Sequence, residues 1–284
     1  MPGARTLAAA GAVLAVLALA GGAAAIGNGV PDGNGHPNVG LLAVGFEEDG
    51  GVVRFPVCSG SYGGPQIGQA TQKVYVTAGH CLAWMPGEGI AADQLWVTFD
   101  SEVGFDPETS QITSANNWHH ASGFAFDPAF AGTFANFHDY GVVLLDSVPA
   151  GLAPVQLPTE GLLGQLAARG GLRPGTVFDN VGYGVIPSFK QGPPRFANPP
   201  GRMFSTSLFK GLTHAYLKLN MNSDIEGNGG VCYGDSGSPR FIHGTNTAVA
   251  TTFGGDPICR ANNYNSRLDI PEARAFYGQY LPLP

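Results

Sequence analysis

The sequence predicts an all-β protein, and three observations carry that reading. Apolar runs rich in β-branched residues are short and recur along the chain. Turn formers separate them, with 43 Gly and 22 Pro among 284 residues. Apolar content is ordinary at 44% while charged residues are few at 12%, so a core is available and the glycine marks turns rather than disorder. The length suits one large all-β domain or two smaller ones.

The first 25 residues read as a secretory signal peptide: Arg5, then an apolar run from Leu7 to Ala20, then Ala23-Ala24-Ala25 as the small-residue cleavage site. The rival is an uncleaved anchor. The strongly apolar part falls short of the ~20 residues that a span needs. Export implies an oxidising destination and a secreted, extracellular protein.

From Ile26 to Gly40 the chain is rich in glycine and proline. Strand candidates follow at Leu41–Phe46, Val52–Cys58, Val74–Ala78, Leu95–Phe99 and Gly141–Leu145. Residues 105–137 show no clear period, and His119 and His120 within them read as loop residues. Adjacent residues on a strand face opposite ways, which argues against a metal pair. Residues 150–164 read as a connection. Thr176–Tyr183, His214–Leu219 and Thr247–Phe253 are the next strands, with 187–201 as a surface loop. Asp269-Ile270-Pro271-Glu272 opens a helix as a capping-box variant with proline in the first turn. Ala273, Phe276 and Tyr280 share its apolar face. The formal charge of −7 and the lack of a basic stripe exclude nucleic acid as a partner.

Three stretches carry chemistry. Val231-Cys232-Tyr233-Gly234-Asp235-Ser236-Gly237-Ser238-Pro239 sets a serine between glycines. A tight turn at Gly234 would let its N–H and that of Ser236 point at one spot, an oxyanion hole. Alone it is also a good turn sequence. Thr77-Ala78-Gly79-His80-Cys81 places a histidine where a strand gives way to a turn. His138-Asp139-Tyr140-Gly141 places an aspartate just before another strand. Asp146 competes for that role but follows its strand and suits a solvated turn. His138 reads as structural.

With the order His80, Asp139, Ser236, the chain resembles the chymotrypsin-like (trypsin-fold) secreted serine proteases, of bacterial type. The resemblance extends from about Ile26 to the end. It implies two packed six-stranded antiparallel Greek-key barrels, at about 26–150 and 165–284, and a short C-terminal helix on the second. It implies a peptide hydrolase in which His80 is the base, Asp139 its orienting acid and Ser236 the nucleophile, with Gly234 and Ser236 as oxyanion donors. Four cysteines allow three pairings that arithmetic cannot choose between; the resemblance implies Cys58–Cys81 and Cys232–Cys259. It aligns Gly230 with the base of the primary pocket, beside Val231. Thr252, Phe253 and Gly254 form one wall and Asn262 the opposite one, leaving room for a large apolar side chain. Asp224, Glu226 and Asp256 are the acids near enough to alter that preference. Ile26, freed by signal cleavage, would dock near Asp235, unless an internal arginine serves it.

Expected partners are polypeptide substrates and protein protease inhibitors, with no membrane attachment after signal removal, no cofactor, no metal and a monomeric state. Two rival functions stand beside this one. An inactive binding module on the same fold would usually lose a triad residue or the oxyanion glycine, and all are present. An α/β-hydrolase esterase would need glycine at Ser238 and the order Ser, acid, His.

Overall fold

The computed structural model describes residues 27–48, 50–106, 108–188, 195–199, 201–222 and 227–284. Six strands form a closed antiparallel barrel: β1 (Val39–Glu48), β2 (Gly51–Gln66), β3 (Gln69–Thr77), β4 (Leu95–Thr98), β5 (Trp118–Phe126) and β6 (Gly141–Leu145). Around the barrel their order is β1-β2-β3-β6-β5-β4. Six more close a second ring: β7 (Val177–Gly182), β8 (Met203–Leu212), β9 (Tyr216–Asn220), β10 (Pro239–Ile242), β11 (Ala248–Gly255) and β12 (Asn262–Arg267). Their order is β7-β8-β9-β12-β11-β10. The two circuits are the same 1-2-3-6-5-4 path, a structural repeat that no repeat in sequence announces. The helix-rich α/β-hydrolase alternative is incompatible with this architecture.

Strand β8 shows how the residues dictate the arrangement. In Met203-Phe204-Ser205-Thr206-Ser207 alternate side chains are buried, the period of two that a half-covered sheet imposes. Among the described residues three larger apolar cores result. Leu42, Leu95, Val97, Val143 and Leu145 fill the first barrel. Phe178, Leu217, Leu219 and Val249 fill the second, under helix α1 (Leu162–Ala168). The third core lies between the barrels, joining Val74, Val76 and Tyr140 to Val181, Phe241 and Ala248.

Several expectations change. The segment 105–137, which shows no clear period, contains β5, so His119 and His120 lie on a strand and not in a loop. The residues just after β6 hold one nitrogen of each: His119 Nδ1 meets Ser147 Oγ at 2.9 Å, and His120 Nδ1 meets Asp146 Oδ2 at 3.1 Å. Within 187–201 a two-stranded ribbon pairs residues 186–188 with 195–197. The C-terminal helix α2 (Pro271–Tyr277) seats in the inter-barrel core and reaches the first barrel. Tyr277 donates its hydroxyl to Thr77 O at 3.2 Å, and Phe276 and Tyr277 lie against Tyr140. Asp269 does not cap it. Its carboxylate instead takes two bonds from Arg267 and one from the Leu163 N–H of α1. Tyr280 falls past the helix end and is half-buried. The signal segment and Ile26 lie outside the described residues.

Candidate active site

His80 sits on a single 3₁₀ turn at the end of β3. Asp139 precedes β6, which pairs with β3. Backbone crowding joins the two segments: a Cβ on Gly79 would come within 3.0 Å of Tyr140 O, and one on Gly141 within 2.7 Å of Ala78 O. Asp139 is fully buried. Its Oδ1 accepts the His80 backbone N–H at 2.6 Å, and its Oδ2 meets His80 Nδ1 at 2.9 Å. This two-point grip fixes both the position and the tautomer of the ring, leaving Nε2 facing outward. The edge of the ring packs against Phe253, with centroids 6.0 Å apart.

The Ser236 loop comes from the second barrel and presses on the first. Gly237 has φ +77°, and a Cβ there would lie 2.6 Å from both Ala78 N and Ser59 O. Four successive carbonyls of the loop are held. Val185 N–H donates to Tyr233 O at 2.7 Å and Ser238 N–H to Asp235 O at 2.9 Å. Ser59 supplies the other two, Oγ–H to Gly234 O at 2.9 Å and N–H to Ser236 O at 2.9 Å. In a planar trans peptide the N–H points opposite to the C=O. Pinning Tyr233 O therefore aims the Gly234 N–H, and pinning Asp235 O aims that of Ser236. The intervening N–H groups are occupied, Asp235 on Cys232 O and Gly237 on Thr252 O. Among the described residues, the Gly234 and Ser236 N–H groups donate to nothing. Two free, fixed amides beside a serine are what an oxyanion requires. The Ser236 hydroxyl also makes no hydrogen bond among the described residues; it shares one cleft with His80, and such contacts often close only on a bound substrate.

Beneath the loop, the Asp235 carboxylate accepts the N–H groups of Gly184 and Cys232, at 2.8 and 2.9 Å. Arg240 is buried nearby and bonds Asn180 Oδ1 at 2.6 Å, with a short contact to Ser238 Oγ. Desolvation pushes Asp235 up to about 6, against its amide donors and Arg240, and pushes Arg240 down to about 9. The charge of each partly offsets the desolvation of the other. Gly27, the first described residue, is bridged to Gly230.

Disulfides join Cys58 to Cys81 and Cys232 to Cys259. The sulfurs of Cys58 and Cys81 and a ring nitrogen of His80 lie within 4.8 Å of one another. The disulfide leaves no thiolate there for a metal.

Two recesses flank Ser236. The smaller, about 250 Å³, is lined by Val231, Thr252, Phe253, Gly254 and the Cys232–Cys259 bridge, among others. Gly230 and Asn262 lie elsewhere. A Cβ on Gly230 would strike Met221 Cβ, and Asn262 Oδ1 accepts Lys210 Nζ at 2.6 Å. Asp256 lines the recess, but its carboxylate accepts the N–H groups of Arg260, Ala261 and Asn262. Asp224 and Glu226 are outside the described residues. The larger recess, about 780 Å³, contains His80 as well as Ser236. His138 is held away from the cleft chemistry by Asp127 Oδ2 at 2.8 Å, and Asp146 by His120.

Sequence reasoning missed Ser59, Met221 and Phe134, whose ring lies over Phe253 with centroids 4.5 Å apart. A serine directly after Cys58 was the one available signal.

No family model and no curated protein matches the chain. Solved structures do. A mutant of human heparin binding protein (CAP37) aligns over 90% of this chain and 93% of its own, with TM-score 0.56 and 15% identity. The Vibrio cholerae VesB protease aligns over 89% of this chain and 66% of its own, with TM-score 0.55 and 14% identity. The chain has the trypsin-like serine protease fold.

Proposed function

We propose that the chain is a secreted serine endopeptidase. The observation that carries this is the fully buried Asp139 gripping His80 at two points, beside a serine flanked by two unoccupied amides. Ser236 Oγ attacks the peptide carbonyl carbon while His80 Nε2 takes its proton. The carbonyl oxygen becomes an oxyanion between the N–H groups of Gly234 and Ser236. Imidazolium charge is offset by Asp139. The C–N bond then breaks, with His80 returning the proton to the leaving amine. Water, deprotonated by His80, attacks the acyl-enzyme, and Ser236 leaves with that proton.

The smaller recess favours an apolar residue on the acyl side over Arg or Lys. Val231, Phe253 and the Cys232–Cys259 bridge are part of its lining, and backbone donors already occupy the Asp256 carboxylate. A buried cation needs a paired charge. The second reading, an inactive binding module, draws support from the neighbour named for binding heparin. A net charge of −7 is a poor match for a polyanion, and every triad position is filled here. Labelling with a fluorophosphonate tests the proposal. The mature protein should be modified at Ser236 and Ser236→Ala should not; an unlabelled, folded protein would reject the enzyme reading.

A further inference from the structure

The two recesses are unequal, and the larger is on the side of the departing amine. That side is identified by His80. The leaving amine must lie within reach of the imidazole that protonates it, and His80 lines the larger recess and not the smaller. The larger recess has about three times the volume, 780 against 250 Å³. Seven large apolar side chains are notably exposed among the described residues, and three of them, Phe46, Trp84 and Tyr233, line this one cleft. Such clustering on a water-exposed surface marks a binding site.

The cleft is also a built surface. Trp84 donates its indole N–H to Cys81 O at 3.0 Å, which holds the ring beside the Cys58–Cys81 bridge. Phe46 meets Phe55 edge-on, with centroids 6.1 Å apart. Tyr233 donates its hydroxyl to Pro257 O at 3.0 Å, so its ring forms a fixed partition between the recesses. A single carboxylate, Glu88, is part of the lining.

Resting on the serine endopeptidase reading, we propose that this aromatic cleft selects a large apolar residue on the leaving-group side of the scissile bond, and that it contributes more to selectivity than the acyl-side recess. The acyl-side recess has about a third of the volume, 250 against 780 Å³, which leaves the larger contact area to the aromatic side.

Acyl-enzyme partitioning tests this directly. The mature protein is given a peptide methyl ester, chosen from a set ending in Ala, Leu, Phe or Arg, with glycinamide, phenylalaninamide or argininamide as competing acceptors. The ratio of aminolysis to hydrolysis reads the cleft alone. Phenylalaninamide should capture the acyl group about tenfold or more better than glycinamide, the discrimination an apolar pocket provides. Trp84→Ala, and independently Phe46→Ala, should bring that ratio toward one. Equal capture of all three amides, or best capture of argininamide through Glu88, overturns the inference and leaves the protease reading standing. No acyl-enzyme and no fluorophosphonate labelling overturns both.

Discussion

Ser59→Ala removes one oxygen from the first barrel and should cripple a serine 177 residues away in sequence (236 − 59). Its Oγ donates to Gly234 O and accepts the Tyr183 N–H at 3.0 Å. Neither backbone group has another partner among the described residues. Leaving a buried polar group unsatisfied costs about 1–3 kcal/mol, so two such groups cost about 2–4 kcal/mol after partial relaxation. The freed peptide joins Gly234 to Asp235 and lies between the two oxyanion amides, so part of that cost appears as misaligned donors. At about 1.4 kcal/mol per factor of ten, kcat should fall about 10- to 100-fold. KM should change little, because the acyl-side recess is untouched. Steady-state kinetics on a peptide substrate, with thermal unfolding alongside, separate the two effects. The midpoint should drop by about 2–4 °C per kcal/mol. A variant with kcat within twofold of wild type would refute the claim that Ser59 holds the loop in its active shape.

Other expectations follow from the same geometry. Asp139→Asn should leave the fold intact and lower kcat by up to about 10⁴, because the amide mis-sets the His80 tautomer; equal kcat at neutral pH would count against the triad. Replacing Cys232 and Cys259 with alanine opens a loop of sequence separation 27 and should cost about 3 kcal/mol in urea unfolding; no change would mean that loop is constrained by other contacts. Burial holds Asp235 near 6 instead of 3.8, so between those values the folded state keeps a proton that the unfolded chain releases. Stability should therefore decline as pH rises through that window, and Asp235→Asn should flatten the slope; denaturant titrations at pH 4 and pH 6.5 measure it.

The proposed catalytic residues were legible because each sits in a local pattern: a strand end with Gly79 before His80, a strand start after Asp139, glycines around Ser236. The strand at Trp118–Phe126 was not. Two histidines and Gly123 break its alternation, and only cross-strand partners such as Ser147 and Asp146 make those histidines acceptable there. Ser59 was signalled only by its place after Cys58, since its side-chain partners lie more than a hundred residues away. Counting back from Ser236 located Gly230 along the backbone but could not reveal that Met221 already fills the space beside it. Likewise, Asp269 looked like a helix cap until Arg267 and α1 claimed its carboxylate.

Ser59 also joins the two halves of the proposed site. The proposed base and its acid belong to one barrel, the proposed nucleophile and its amides to the other, and the clasp between them runs through a residue of the earlier-made half. A ribosome releases that half first, complete with His80 and Asp139 yet with nothing to attack. The second half brings the serine, and its loop is held against Ser59, Thr77 and Ala78 of the first. On the endopeptidase reading, prising the barrels slightly apart should therefore undo the site while each barrel still holds its own core.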